Sequence, residues 1–270
     1  MKIIKFIEEA KKEIRRKKRS SVIVYFLLRF LVIVCMMLEL SHGDLNNALL
    51  CLLSLILFLM PSILERKLKI DLPNTLEIII YLFIFAAEIL GEINNFYVNI
   101  PYWDTMLHTL NGFLCAAVGF SLVDLLNKND DKLHLSPLYL CIVSFCFSMT
   151  VGVAWEMFEY NSDKILFVDT QKDEVVDKIS TVYLDPEKDN NAIIIDKIDK
   201  TVVYDAEGNI LTTIEGGYLD IGLNDTMEDL IVNFIGASVF CIFGYVYLKA
   251  KSNNETKGEF IEQFVPKRAS

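Results

Sequence analysis

The sequence contains no Cys-x-x-Cys pair. Its six cysteines, Cys35, Cys51, Cys115, Cys141, Cys146 and Cys241, all fall inside apolar runs. That spacing gives no support to a zinc knuckle or a disulfide framework, and the cysteines read as small buried apolar residues. Histidine is scarce, limited to His42, His108 and His134. No small-residue cleavage site follows the first apolar run, Val22–Leu40, so that run reads as a retained anchor, not a removable signal peptide. Lys and Arg are absent from Ser41–Asn46 and Gly91–Asp104, which marks both as connections that do not face the cytoplasm.

What the chain does have is apolar residue. Hydrophobic residues make up 53% of the 270, yet the net charge is -10, so polar and apolar material must be segregated. Between Tyr160 and Glu228 there are 16 acidic residues against 6 basic ones. This one stretch therefore carries the whole net charge of the chain. An acidic module of this kind argues against nucleic acid as a partner.

Six runs are long enough to cross a bilayer: Val22–Leu40, Asn47–Leu64, Thr75–Ile93, Thr105–Leu126, Leu135–Phe158 and Asp229–Leu248. Each has roughly 18 to 24 residues, matching a hydrocarbon core of about 30 Å at about 1.5 Å per residue. The fold expected is all-α and polytopic, with six transmembrane helices and a small β-rich extracytoplasmic insertion between helices 5 and 6. Residues 1–20 form a basic amphipathic segment suited to the anionic cytoplasmic surface. Residues 21–159 hold helices 1–5, 160–224 the acidic insertion, 225–249 helix 6, and 250–270 a cytoplasmic tail. Basic residues near the span ends, including Arg66, Lys67, Lys69, Lys249 and Lys251, place both termini in the cytoplasm.

Within the insertion, Ala192–Asp196, Thr201–Tyr204 and Ile210–Ile214 are rich in β-branched residues and read as strands. Asp205–Asn209 reads as a hairpin turn, Asp185–Asn191 as a loop, and Lys172–Ile179 as a helix.

Alternate threading then brings three polar motifs to one membrane face. Asp104 and His108 are four apart at the start of the fourth span, with Asn111 and Gly112 just beyond. Glu156 and Glu159 are three apart near the end of the fifth. Asp225, Asp229, Asn233 and Gly236 share a stripe at the start of the sixth, with Glu228 beside it. Glu88 and Glu92 form a further i,i+4 pair on the third span. Arg29, inside the first span, has Glu88 as its expected partner by depth. Gly112, Ala116, Gly119, Gly152 and Gly236 are small enough to let helix backbones approach in lipid.

Carboxylates entering a membrane are costly and are paired, hydrated or bound to something. One imidazole with several carboxylates is the ligand set of a divalent metal ion, with Asp104, His108, Glu156 and Asp229 as candidate ligands. Glu156, Glu159 and Asp225 are the candidates for general acid–base work beside it. Two other readings stay open: a proton- or cation-coupled pathway or a ligand-binding pocket, and a hydrogen-bonded network in a non-catalytic envelope scaffold.

At these residues the chain resembles the YjdF-like family of bacterial integral membrane proteins. The likeness rests on Asp104–His108–Gly112, on Trp155-Glu-x-x-Glu159, and on Asp225-x-x-x-Asp229-x-x-x-Asn233-x-x-Gly236-Ala. The last motif is also similar to the VanZ-like family. The resemblance implies a multi-pass protein of the bacterial plasma membrane, partnered by the bilayer, an envelope lipid or another membrane protein.

Overall fold

The computed structural model describes residues 19–68, 70–129, 135–253 and 259–268. The basic segment expected over residues 1–20 lies almost wholly outside this range, as do Lys69 and His134. Two compact units make up the chain. One contains residues up to Gly152 together with Val232 onward, and the other runs from Val153 to Ile231.

The first unit is helical. Helix α1 covers Arg19–His42, α2 Leu45–Leu57 and α3 Met60–Leu68. The Asp44 side chain caps α2 by accepting the Asn47 N–H at 3.0 Å, which satisfies one of the amides a helix start leaves unpaired. Strand β1 is Ile70–Asp71, and α4 is Asn74–Ile84. A π-helix, Phe85–Ile93, continues α4, and the short α5 is Phe96–Asn99. The π-helix closes where the backbone N–H of Asn94 and its side-chain amide both donate to the Ile89 carbonyl. Helix α6 is Trp103–Asn129, α7 Pro137–Leu166 and α8 Leu223–Ser252. Proline at the first position of α7 loses no helical hydrogen bond there, and Ser136 Oγ accepts the Tyr139 N–H at 3.3 Å.

Among the described residues, five helices are long and apolar enough to cross a membrane: Arg19–His42, Leu45–Lys67, Trp103–Asn127, Pro137–Leu166 and Leu223–Ser252. The segment expected as a third span, Thr75–Ile93, forms α4 and the π-helix. Helices also run past their expected ends. For example, α7 reaches Leu166, eight residues beyond Phe158.

Two apolar clusters hold the first unit. In one, Leu28 and Val32 of α1 pack with Cys51, Phe58, Tyr81 and Ile84. In the other, Ala116, Ala117 and Phe120 of α6 pack with Leu140 and Cys141 of α7 and with Ala237 and Phe240 of α8. Ile261, from a 3-10 turn over Glu259–Gln263, is fully buried in this second cluster. Phe264 meets Phe113 edge-on, with ring centroids 5.1 Å apart. Strand β8, Lys267–Arg268, then pairs antiparallel with β1. The tail is thus a packed part of the unit. All six cysteines are free thiols.

Arg29 departs from expectation. Its guanidinium donates to the Tyr25 hydroxyl at 2.6 Å and lies 5.3 Å from that ring's centre. No Arg29–Glu88 ion pair occurs among the described residues, because a phenol one turn away on the same helix is the nearer acceptor.

In the second unit, the end of α7 and the start of α8 flank six short strands. Strand β2 (Glu174–Val176) pairs antiparallel with β7 (Tyr218–Asp220), β3 (Ile179–Thr181) with β4 (Ile193–Ile195), and β5 (Lys200–Tyr204) with β6 (Ile210–Glu215). The helix expected over Lys172–Ile179 is replaced by β2 and the start of β3. Val175, Val176 and Ile179 are β-branched, and the edges of β7 and β4 supply ladder partners that an isolated helical turn would lack.

Entry and exit of the insertion are fastened together. Asp163 Oδ1 accepts the Thr170 N–H at 2.7 Å, and Oδ2 accepts the Gln171 N–H at 2.9 Å. The Gln171 side chain donates to Thr226 Oγ1, and the Lys172 N–H donates to Asp225 Oδ2 at 3.0 Å. Gly222 has φ +83°, and a Cβ there would lie 2.6 Å from the Gln171 Cβ. Only glycine suits both the conformation and the space.

Asp185 and Asp205 each hold a turn. Asp185 accepts N–H groups from Glu187, Asp189 and Asn191, and the Asn191 N–H leads in keeping its carboxyl below the usual range. Asp205 is lowered first by the Asn209 side chain and then by the Asn209 N–H. Asp173 shifts upward, through burial first and then through Asp169, Asp163 and Asp220. A lowered folded-state pKa contributes stability above the ordinary carboxylate value of about 3.9, and that stability is lost as pH falls through the folded value. The raised Asp173 acts in the opposite sense. Amide exchange at Asp189 and Asn191, corrected for intrinsic rate, should therefore lose protection below about pH 4. Asp185→Asn should weaken protection at neutral pH and abolish that acid step; an unchanged acid step in the variant would remove Asp185 as its cause.

Candidate functional site

Helices α6, α7 and α8 meet at positions where side chains are absent. A Cβ on Gly112 would lie 2.1 Å from the Asn233 carbonyl oxygen. One on Gly236 would lie 1.9 Å from the Thr109 carbonyl oxygen. One on Gly152 would lie 2.7 Å from the Asn233 side-chain nitrogen. Only glycine permits such approach, in the manner of small-residue interfaces between membrane helices. Around Asn233 and Gly236 the contacts fall on Thr109, Gly112 and Phe113, and further along α8 Phe240 and Gly244 meet Phe113 and Phe120. Helices α6 and α8 are therefore parallel. The Cys141–Cys241 and Gly152–Asn233 contacts set α7 antiparallel to α8.

Asn233 sits at this meeting point with 1% of its surface exposed. Its side-chain oxygen accepts from Asn111 Nδ2 at 3.3 Å, and its Nδ2 lies 3.5 Å from Met149 Sδ. Ser148 Oγ donates to the Gly112 carbonyl at 2.8 Å. A buried amide must find partners, and it finds them on both neighbouring helices. Asn111, Gly112, Gly152, Asn233 and Gly236, expected at this depth from the sequence, are brought together. Ala116 is fully buried in the adjoining apolar cluster. Gly119 lies under the Phe147 side chain instead, and a Cβ added there would come 2.9 Å from the Phe147 Cβ.

One turn before Asn111 on α6, His108 is 9% exposed, and its Nε2 lies 3.4 Å from Asp104 Oδ1. The i,i+4 spacing of the sequence puts both on one face, and the rest of α6 holds that face inward. Trp103 packs edge-on against Phe96 at 5.0 Å. Glu88 and Glu92 lie on the π-helix, the first half-buried and the second exposed.

In the second unit, Glu156 and Asp229 are buried at 5% and 4% exposure. Glu159 is half-buried, and its backbone carbonyl accepts from Thr170 Oγ1 at 3.1 Å. Asp225, a candidate acid–base group, is held as the acceptor of the Lys172 N–H. Glu228 faces outward and is exposed.

The sequence reading passed over three buried acids on helices, Glu65, Glu77 and Asp124. Glu77 of α4 is 2% exposed, accepts the Tyr81 hydroxyl at 2.9 Å, and accepts the Ser21 hydroxyl. The signal was present, since Glu77 lies inside an apolar run where a carboxylate is costly. Asp124 of α6 is also buried, at 6% exposure.

The expected cost of crowding the helix contact is specific. Gly236→Ala should destabilise the protein by about 1–3 kcal/mol through overpacking against backbone. Gly244→Ala should be near neutral, because a Cβ there meets the Phe120 ring at an ordinary 3.4 Å. Reversible unfolding in detergent micelles would compare them, and equal effects would contradict the contact.

Residues 23–250 match the family model described as "Predicted membrane protein (DUF2238)". A Thermotoga maritima protein named "Uncharacterized protein" is 26% identical over 106 residues, which is 39% of this chain and 53% of that protein. The chain thus spans about half the length of that curated relative. No solved structure matches the chain. The narrower YjdF-like and VanZ-like names rest on the motif residues alone. With 23–250 matched, the chain belongs to the DUF2238 family of membrane proteins.

Proposed function

We propose that this membrane protein binds a divalent cation through the Asp104–His108 pair, near one face of the bilayer. That pair, half sunk in the start of a membrane-spanning helix, is the observation that carries the reading. It offers one imidazole nitrogen and one carboxylate, donors suited to zinc or manganese. An ion held there keeps positions for water or a headgroup oxygen, and lowers the pKa of bound water.

The wider assignment is part of the same proposal. It has six spans, counting α4 with the π-helix as the third, in a bacterial plasma membrane. Both termini are cytoplasmic, and the acidic insertion is extracytoplasmic. Opposed directions of α7 against α6 and α8 support alternate threading, and the basic residues at Arg66, Lys67, Lys249 and Lys251 support the orientation. Glu156, Glu159 and Asp225 are the carboxylates proposed for proton transfer, with an envelope lipid as substrate.

Metal analysis of protein purified without chelator or affinity-tag histidines should find about one zinc or manganese per chain, as a single site requires. His108→Ala should lower metal affinity by at least tenfold, while Glu228→Gln should leave it unchanged. Protein that is folded, metal-free and unresponsive to added zinc or manganese would defeat the reading.

A further inference from the structure

The backbone contact between α6 and α8 leaves an apolar groove beside it. Tyr102, just before α6, and Met106, Leu110 and Phe113 of α6 form one wall, and Gly236 and Val239 of α8 the other. Its volume is about 480 Å³. Thr105 and Thr109 also line it, yet the Thr109 hydroxyl is used internally, donating to the Thr105 carbonyl at 2.7 Å. Below its mouth the groove therefore offers a ligand almost nothing but carbon.

We propose that this groove holds one acyl chain of a membrane lipid. Length argues for it. From Tyr102 to Phe113 the groove runs about 16 Å at about 1.5 Å per residue, close to half of a hydrocarbon core about 30 Å thick. It is closed at the depth of one leaflet. There the Phe113 ring is braced edge-on by Phe240 and by Phe264 of the tail, each 5.1 Å away between centroids. Its side is open: Met106 is 47% exposed and Val239 39%. At that depth the surrounding medium is lipid tail, so an acyl chain enters without leaving the membrane. Tyr102, at the mouth and 82% exposed, presents its phenol where a headgroup or glycerol oxygen would lie. Gly236 contributes only backbone to the groove's wall. This proposal rests on the membrane assignment alone and stands or falls independently of metal binding.

The test is photo-crosslinking of the full chain, reconstituted in vesicles of phosphatidylglycerol that carry a diazirine along one acyl chain. Labelling at Met106, Leu110 and Val239 should exceed, by at least severalfold, that at Leu27 and Phe30 of α1. Those two positions are as exposed, at 53% and 62%, but line no part of the groove. Val239→Trp should fill the groove and remove the excess at Met106 and Leu110 without changing Leu27 or Phe30. Met106→Trp, read at Leu110 and Val239, serves the same purpose should the first variant fold poorly. Uniform labelling at all five positions, meaning annular lipid only, would overturn the proposal, as would copy-to-copy crosslinks through the groove in place of lipid.

Discussion

Backbone contact between α6 and α8 is the constraint on which the first unit depends. In lipid, helices gain little from burying apolar surface against each other, because the tails are equally apolar. Close dispersion contact and internal hydrogen bonds must hold them instead. Gly112 and Gly236 let two backbones touch, and Gly152 admits the Asn233 side chain from α7. With the helices that close, the Asn233 amide reaches Asn111 and meets the sulfur of Met149. The same contact fixes the rotation of α6, and so the inward face that carries Asp104 and His108. The groove lies beside this contact, with Gly236 in its wall.

The helical class was legible in the chain because apolar runs of about 20 residues have few alternatives. The glycines and Asn233 were legible as a stripe for the same reason that i,i+4 positions share a face. Their partners were not, since nothing in a single sequence says that Gly112 faces the Asn233 backbone while Gly119 faces Phe147. Hydropathy alone also did not reveal that Thr75–Ile93 changes from α to π winding at Phe85. The Tyr97 ring lies against Gly91 of that π-helix, a contact no single sequence announces.

Two misreadings have opposite causes. Arg29 was matched to Glu88 by depth, but the local Tyr25 hydroxyl sits one turn away and claims it. Lys172–Ile179 looked helical over a short window, yet strand edges far along the chain claimed its backbone. In the first case a local partner outcompeted a remote one, and in the second the reverse held. Glu77 was different, for a carboxylate in an apolar run was visible and its burial follows from that position. The insertion's turns were easier, because Asp185 and Asp205 bond amides within a few residues.

Disulfide trapping between α6 and α8 measures the governing contact directly. In a chain with its native cysteines replaced by serine or alanine, the pair Phe120→Cys and Gly244→Cys should oxidise readily in membranes. The crossed pair Thr109→Cys and Gly244→Cys should not. Parallel helices in register predict that pattern, whereas trapping of the crossed pair, or of neither, would contradict the account.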